Sequence, residues 1–333
     1  MEVAGRIYDQ LFKRRLPDQV QKRIADELQN ERKHYWRRVV RIAGLLHDIG
    51  HLPFSHGAEK ALLPDGWDHE RLTAAMIKSS EIAGILKEDR PPIEPEDVID
   101  VAWDARERAK ANPALSLSPW KTLLNEIVCG DTFGADRVDY LLRDSLHAGV
   151  VYGRFDPDRL ISGLTVVIDP KDGEIAIGLD LGAIHAAEAL LLARYFMYTQ
   201  VYFHDVRRAY DLHLKEFLQG WVPGGRFSAD WRDLLQVTDH EVLAAVRKAA
   251  SDVKNELHEQ AARILARRHF RTVYELVSTH KRKHPTILKE LIQAAESEFD
   301  ARNIRSDNYG PKSELNDFLV QMDDGGIESS LQV

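Results

Sequence analysis

The sequence predicts a mostly α protein, a helical bundle with one small β-hairpin and a C-terminal helical region. Three observations carry that expectation. Apolar residues recur at helical spacing through most of the chain, as in Ile42, Leu45, Leu46 and Ile49, and again in Leu190, Leu191, Phe196, Met197 and Val201. One segment departs from this: LTVVI at 164–168 and EIAIGL at 174–179 are short β-prone runs. Between them Asp169-Pro170-Lys171-Asp172-Gly173 supplies the fixed and the positive φ of a turn. Finally, 44% hydrophobic and 29% charged residues over 333 positions are enough for a sizeable core, which excludes a disordered chain.

Taken in order, residues 1–160 hold the histidine-rich chemistry, and within them 37–49 read as a helix that Gly50 and Pro53 stop. Ser55 offers a cap for a new helix near His56. The run 91–95 (PPIEP) reads as a rigid surface turn. Residues 161–322 comprise the hairpin and further helices, with 182–220 expected as one long helix, and 323–333 (DDGGIESSLQV) as a flexible tail. The single cysteine, Cys129, excludes a disulfide framework and a cysteine-built zinc site, so any metal must use histidine and carboxylate. No run approaches the roughly 20 apolar residues of a membrane helix, and MEVAGRIYDQLFKRR lacks the apolar stretch of a secretion signal. A cytoplasmic protein with no membrane partner is the expectation. The formal charge of −8 disfavours a dedicated nucleic-acid coat but allows a local basic pocket for an anionic small molecule. The basic run 263–284, read as a cationic helix bearing Phe270 and Tyr274, gives a weak nucleic-acid reading, and a solvated face is the plainer one.

Residues 47–70 concentrate His47, Asp48, His51, His56, Glu59, His69 and Glu70, groups that bind divalent metals or move protons near neutral pH. A single such histidine is as readily a capping or core residue. Four buried together without a ligand would leave donors and acceptors unpaired at about 1–3 kcal/mol each. The interleaved Leu45, Leu46, Ile49, Leu52 and Phe54 predict a packed segment. Downstream, residues 134–147 form on a helix one face of Asp136, Asp139, Tyr140, Arg143, Asp144 and His147, opposite Val138, Leu141, Leu142 and Leu146. The plain reading is an exposed, salt-bridged helix. Further on, Arg194, Tyr198, Tyr202 and Asp205 share a face that offers a cation, two rings and an acceptor, while Tyr195, Phe196 and Met197 read as core.

The run LLHDIGHLPFSH (45–56), then WDHE (67–70), then GADRVDYLLRDSLHAGVVYGRFDPDRLI (134–161) resembles the HD-domain phosphohydrolases. The similarity is to the branch of deoxynucleoside triphosphate triphosphohydrolases, and it spans roughly residues 1–215, including LLARYFMYTQVYFHDVRRAYD (191–211). An HD pair alone is weak, but the three blocks in that order are specific. The resemblance implies an HD-domain helical bundle whose H…HD…D site binds one divalent ion: Mn, Fe, Co, Ni or Zn, with Mg the further candidate. By motif match, His47, Asp48 and Asp136 would be metal ligands, and His51 and His69 would bind the phosphate under attack. His56 would be the general acid and Glu59 the carboxylate that orients it, while Arg137, Tyr140, Asp144, His147, Arg194, Tyr198 and Tyr202 would line the substrate pocket.

The expected activity is release of triphosphate from dNTPs. A phosphodiesterase or phosphomonoesterase on another phosphorylated substrate, and a nucleotide-binding regulator with weakened catalysis, stand as alternatives. A homo-oligomer is implied by the same resemblance. The family's first metal histidine has no counterpart: only His34 precedes His47, and it lies about 220° around a continuous helix. The missing segment belongs just before Met1, so the expectation is a start codon further upstream, or else a truncated paralogue with a weakened metal site; the chain as given, with His47, Asp48 and Asp136 as its three ligands, is expected to show reduced metal affinity and low activity.

Overall fold

The computed structural model describes residues 1–13, 15–55, 59–111, 116–307 and 317–333. It is mostly α, as the periodicity predicts. The helices before the hairpin are α1 (Glu2–Leu11), α2 (Asp18–Ile24), α3 (Asn30–Leu46), α4 (Glu59–Leu62), α5 (His69–Ile77), α6 (Ser80–Glu88), α7 (Pro95–Ala102), α8 (Ala105–Ala111), α9 (Pro119–Cys129), α10 (Ala135–Ala148) and α11 (Pro157–Gly163). Strands β1 (Leu164–Ile168) and β2 (Ile175–Asp180) follow, then α12 (Ile184–Met197), α13 (Asp205–Trp221), α14 (Trp231–Leu234), α15 (Asp239–Ser251), α16 (His258–Leu265), α17 (Ser278–Lys283) and α18 (Ile287–Glu298). Strands β3 (Leu319–Gln321) and β4 (Ile327–Ser329) close the chain.

Local chemistry sets the boundaries near the site. Asp68 caps α5, its carboxylate accepting from Arg71 N at 2.8 Å, and Ser118 with Pro119 begins α9. Helix α10 ends at Gly149, whose φ of 69° is the left-handed conformation of a helix C-cap. Strands β1 and β2 pair antiparallel from Leu164 opposite Leu179 to Ile168 opposite Ile175, as expected of a hairpin. Strand β3 adds parallel to β2, and β4 pairs antiparallel to β3. The expected tail after 323 is therefore corrected: Gly325, with φ 87°, turns the chain so that 327–329 complete the sheet.

Two apolar cores result. The first joins α1, α3, α7, α9, α10, the sheet and α12 through residues such as Ile7, Val39, Leu123, Leu141, Leu179 and Val320. The division expected at 160/161 thus runs through one continuous core, because the hairpin packs its alternate residues onto the N-terminal helices. The second core joins Leu52, Leu62, Leu63 and Leu72 to Phe217, Val242, Val246 and Ala261. The histidine segment lies on the seam, with Ala43 and Ala74 in the first core and Leu52 and Leu72 in the second. Leu45, expected to pack, is 59% exposed, since it projects from α3 away from both cores.

The long helix expected over 182–220 is interrupted. A wide turn with π-helical bonding occupies Tyr198–Tyr202, and His204 caps α13 by accepting from Val206 N at 3.2 Å. No helix among the described residues is long and apolar enough to cross a membrane.

Candidate metal centre

His47 closes α3 and Asp48 begins the turn that leaves it. The turn is seated against α5 by backbone contacts. Thr73 Oγ1 donates to the carbonyl of His47 and accepts from Gly50 N, both at 3.0 Å. Gly50 is required there, because a Cβ would overlap the carbonyl oxygen of His69 and lie 2.5 Å from Thr73 N. Beyond Pro53, Phe54 and Ser55 adopt φ of 60° and 55°, a costly conformation for residues with a Cβ. Phe54 N is held by the carboxylate of Asp239, at the start of α15, at 3.0 Å. A cavity of about 390 Å³ opens between residues 51–53 and 237–240, with His51 in its wall.

Helix α10 brings Asp136 to this turn from some ninety residues downstream. His47 Nε2 lies 3.2 Å from Asp136 Oδ1 and 3.4 Å from Asp48 Oδ2. Both ring nitrogens of His47 are buried, and neither makes a hydrogen bond. Metal bonds of about 2.0–2.2 Å place neighbouring donor atoms roughly 3 Å apart. The donor set therefore fits one divalent ion, and the ion would satisfy an imidazole nitrogen that the protein leaves without a hydrogen bond. A second trio, Asp48, His51 and His69, shares Asp48 with the first.

The rings of His51 and His69 stack at 4.0 Å with an 18° interplanar angle. Glu59 anchors the pair: its Oε1 accepts from His69 Nδ1 at 2.8 Å and from His69 N at 2.9 Å, and its Oε2 lies 3.7 Å from His51 Nδ1. His51 Nε2 is 3.4 Å from Asp48 Oδ1. Burial opposes the charged form of each group, yet the opposite charges prevail. Burial would lower His51, but Asp48 and Glu59 raise it to about 9. Burial would raise Asp48, but His51, His47 and His69 draw it down to about 2. For His47, burial is outweighed by the carboxylates of Asp136 and Asp48, leaving it above the ordinary imidazole value. His56 lies outside the described residues. Among the described residues, Glu59 contacts both His69 and His51.

From Asp136, the α10 face continues through Tyr140 to Asp144, about 12 Å along the axis at 1.5 Å per residue. Tyr202 donates to Asp144 Oδ2 at 2.7 Å, and Tyr140 and Tyr198 each pack edge-on against the Tyr202 ring at 6.1 and 5.3 Å. Burial, then contact with Tyr198, raises Tyr140; burial, then Asp144, raises Tyr202. Arg137 donates to the carbonyl of Gly130 at 2.9 Å and pairs with Asp131, while Arg194 donates to the carbonyl of Asp131 at 2.9 Å and lies 5.6 Å from the Tyr198 ring. The structure thus brings together Arg137, Tyr140, Asp144, Arg194, Tyr198 and Tyr202. Asp131, which organises both arginines and also pairs with Arg106, was not singled out from sequence, since a carboxylate in a tight connection carries no motif.

Several expected positions fall elsewhere. His147 is exposed at the end of α10, its Nδ1 2.8 Å from the carbonyl of Arg143, so its ring serves the helix end and not the pocket. Asp139 and Arg143 form the exposed i, i+4 pair of the plain reading. Leu146 is 69% exposed, because the helix reaches past the core in its last turn. Met197 is buried as core, but Tyr195 and Phe196 are exposed and meet edge-to-face at 5.6 Å. The interruption at 198–204 carries Asp205 away from Tyr202, leaving it exposed beside His204. The basic run 263–284 is not one helix, and Phe270 packs under Arg263 at 4.4 Å and against His213 at 4.6 Å instead of facing solvent.

A profile of the HD domain matches residues 21–141, the segment that carries His47, Asp48 and Asp136. The chain belongs to the HD-domain phosphohydrolase superfamily. A profile of the HD associated region matches 155–305. The chain is similar to the uncharacterized protein YwfO of Bacillus subtilis (strain 168), 34% identical over 183 residues, which cover 55% of this chain and 37% of that protein. It is also similar to the deoxynucleoside triphosphate triphosphohydrolase SAMHD1 of Mus musculus, 34% identical over 149 residues, covering 37% of this chain and 21% of that protein. The chain therefore spans less than half the length of these curated relatives. Among solved structures, a hypothetical protein from Aquifex aeolicus superposes with a TM-score of 0.72 at 30% identity, covering 99% of this chain and 76% of that one.

Proposed function

We propose that this HD-domain protein is a metal-dependent phosphohydrolase acting on nucleotides, with removal of triphosphate from dNTPs as the preferred reaction. The observation that carries the reading is the convergence of His47, Asp48 and Asp136, whose ligand atoms all lie within 4.8 Å of one another with His47 Nε2 3.2 and 3.4 Å from the two carboxylates, beside a stacked histidine pair and a wall of arginine and tyrosine. The partial similarity to SAMHD1, 34% identity over 149 residues, supports the choice of dNTPs.

A bound divalent ion supplies polarisation of a phosphoryl oxygen and of water. His47, Asp48 and Asp136 would hold it. His51, beside Asp48 and Glu59, would offset negative charge on the phosphoryl oxygens. Glu59 fixes the orientation of the neighbouring His69 ring. Water oxygen joins the α-phosphorus, the bond to the 5′ oxygen breaks, and His56 is proposed to deliver the proton to that oxygen. The α10 face extends about 12 Å from the metal ligands, so Tyr140, Asp144 and Tyr202 lie where the sugar and base of a nucleotide would rest, with Arg137 and Arg194 nearby for phosphate.

The test is a panel of dNTPs, NTPs, cyclic nucleotides and nitrophenyl phosphate, each incubated with Mn²⁺. Triphosphate release from dNTPs is expected, and hydrolysis confined to the other esters would reassign the substrate. Absence of hydrolysis of every ester by protein shown to hold metal would overturn the enzymatic reading and leave a nucleotide-binding regulator.

A further inference from the structure

The chain from Leu52 to Leu63 lies inside the stretch that matches the HD domain, yet it is held by the C-terminal region. Leu52, Leu62 and Leu63 pack in the second core with Phe217, Val242 and Val246, and none of the three belongs to the first. Two backbone ties reinforce this packing. Phe54 N donates to Asp239 Oδ1 at 3.0 Å across 185 positions of sequence, and Phe227 N donates to the carbonyl of Leu62 at 2.7 Å. Between the ties stands Glu59, which contacts His69 and His51. His56 follows Phe54 by two positions in the sequence.

The plain role of an aspartate in a first helical turn is to start its helix, but α15 starts without it. Thr238 Oγ1 accepts from His240 N at 3.2 Å and Glu241 Oε2 accepts from Thr238 N at 2.7 Å, a complete capping box. Among the described residues, the hydrogen bond of the Asp239 side chain goes to Phe54 N, and Asp239 lines with His51 the cavity between the two regions. Phe54 and Ser55 hold φ of 60° and 55°, which residues with a Cβ keep only where the surroundings fix them. Ser55 N closes the turn locally on the carbonyl of Leu52 at 2.8 Å, while Asp239 fastens it to α15. Packing offers little substitute, since Phe54 is 36% exposed and Ser55 is exposed as well. A carboxylate acceptor, stronger than a neutral one, suits this position.

We propose that Asp239 is a positioning residue for the reaction: by holding the left-handed Phe54–Ser55 turn, it sets the course of the chain into the proposed proton donor, so the HD associated region takes part in turnover. The inference rests on the phosphohydrolase reading. Its test is kcat and KM of the whole chain with Mn²⁺ on a dNTP and on the p-nitrophenyl ester of thymidine 5′-monophosphate, whose nitrophenolate departs without a proton. For Asp239→Ala, kcat on the dNTP should fall about thirtyfold with KM within about twofold, and kcat on the nitrophenyl ester by less than about threefold. Asp239→Asn keeps an oxygen acceptor for Phe54 N and should stay within about threefold of the wild type on both. Circular dichroism checks folding; should Asp239→Ala unfold, Asp239→Ser, too short to reach Phe54 and well suited to a helix start, is read in its place. Where the dNTP alone is a substrate, the kcat-against-KM split and the Asn variant decide. Equal losses on the two substrates, a change confined to KM, or Asp239→Asn as slow as Asp239→Ala would overturn the proposal and leave the phosphohydrolase reading standing. A wild type that holds Mn²⁺ yet releases nothing from the dNTP would overturn that reading of the substrate, and this proposal with it.

Discussion

The two walls of the candidate site are built by different means. The metal wall is fixed through backbone: Thr73 ties His47 to Gly50, Gly50 sits flush on α5, and the strained 54–55 turn is anchored by Asp239. The aromatic wall is fixed mainly by side chains meeting side chains and loop carbonyls, as Tyr202 meets Asp144 and Arg194 meets Asp131. A wall held by backbone tolerates almost no change, whereas a wall held by hydroxyl and guanidinium contacts loses one interaction at a time. Metal ligands are served by the first construction, and the proposed selection among nucleotides would be served by the second.

The largest effect should follow from breaking the metal wall at its ligands. His47→Ala or Asp136→Ala is expected to reduce turnover by about a thousandfold while leaving the fold intact, checked by steady-state rates and circular dichroism. Gly50→Ala attacks the same wall through its backbone. The new methyl has nowhere to go, so a destabilisation of about 2–3 kcal/mol is expected in a urea titration, together with weaker metal binding.

A control lies outside both walls. Glu126 accepts from Ile177 N of β2 at 3.0 Å, and burial pushes its carboxyl up to about 7. A raised carboxyl favours the folded state while protonated. Stability should therefore fall as pH rises from the unfolded value near 4.5 through about 7. Glu126→Gln should remove that slope and gain roughly 1–3 kcal/mol at alkaline pH, read from urea midpoints at several pH values. The smallest effect belongs to the aromatic wall. Tyr202→Phe frees Asp144 and is expected to raise KM about tenfold with little change in kcat, and stability within about 1 kcal/mol.

Much of the metal wall is legible in sequence because its chemistry is local. His47 through His69 fall within one interrupted helical stretch, and the breakers Gly50 and Pro53 are visible. Asp136 is legible only through the order of its motif, since helical spacing alone also describes an exposed face, which is what Asp139 and Arg143 form. The interruption at Tyr198–Tyr202 is not legible, because no proline or glycine marks it; tertiary contacts such as Tyr202 with Asp144 accompany it. Strand β4 escapes for the opposite reason. Its polar sequence reads as a tail, and only pairing with β3 makes it a strand. The exposure of Leu45 and Leu146 depends on where the core ends, which periodicity does not record.

Calorimetric titration of Mn²⁺ into the wild-type chain, Asp136→Ala and Tyr202→Phe tests most directly whether His47, Asp48 and Asp136 close around one cation. One site per chain is expected in the wild type and in Tyr202→Phe, and none in Asp136→Ala. Equal binding by Asp136→Ala and the wild type would contradict it.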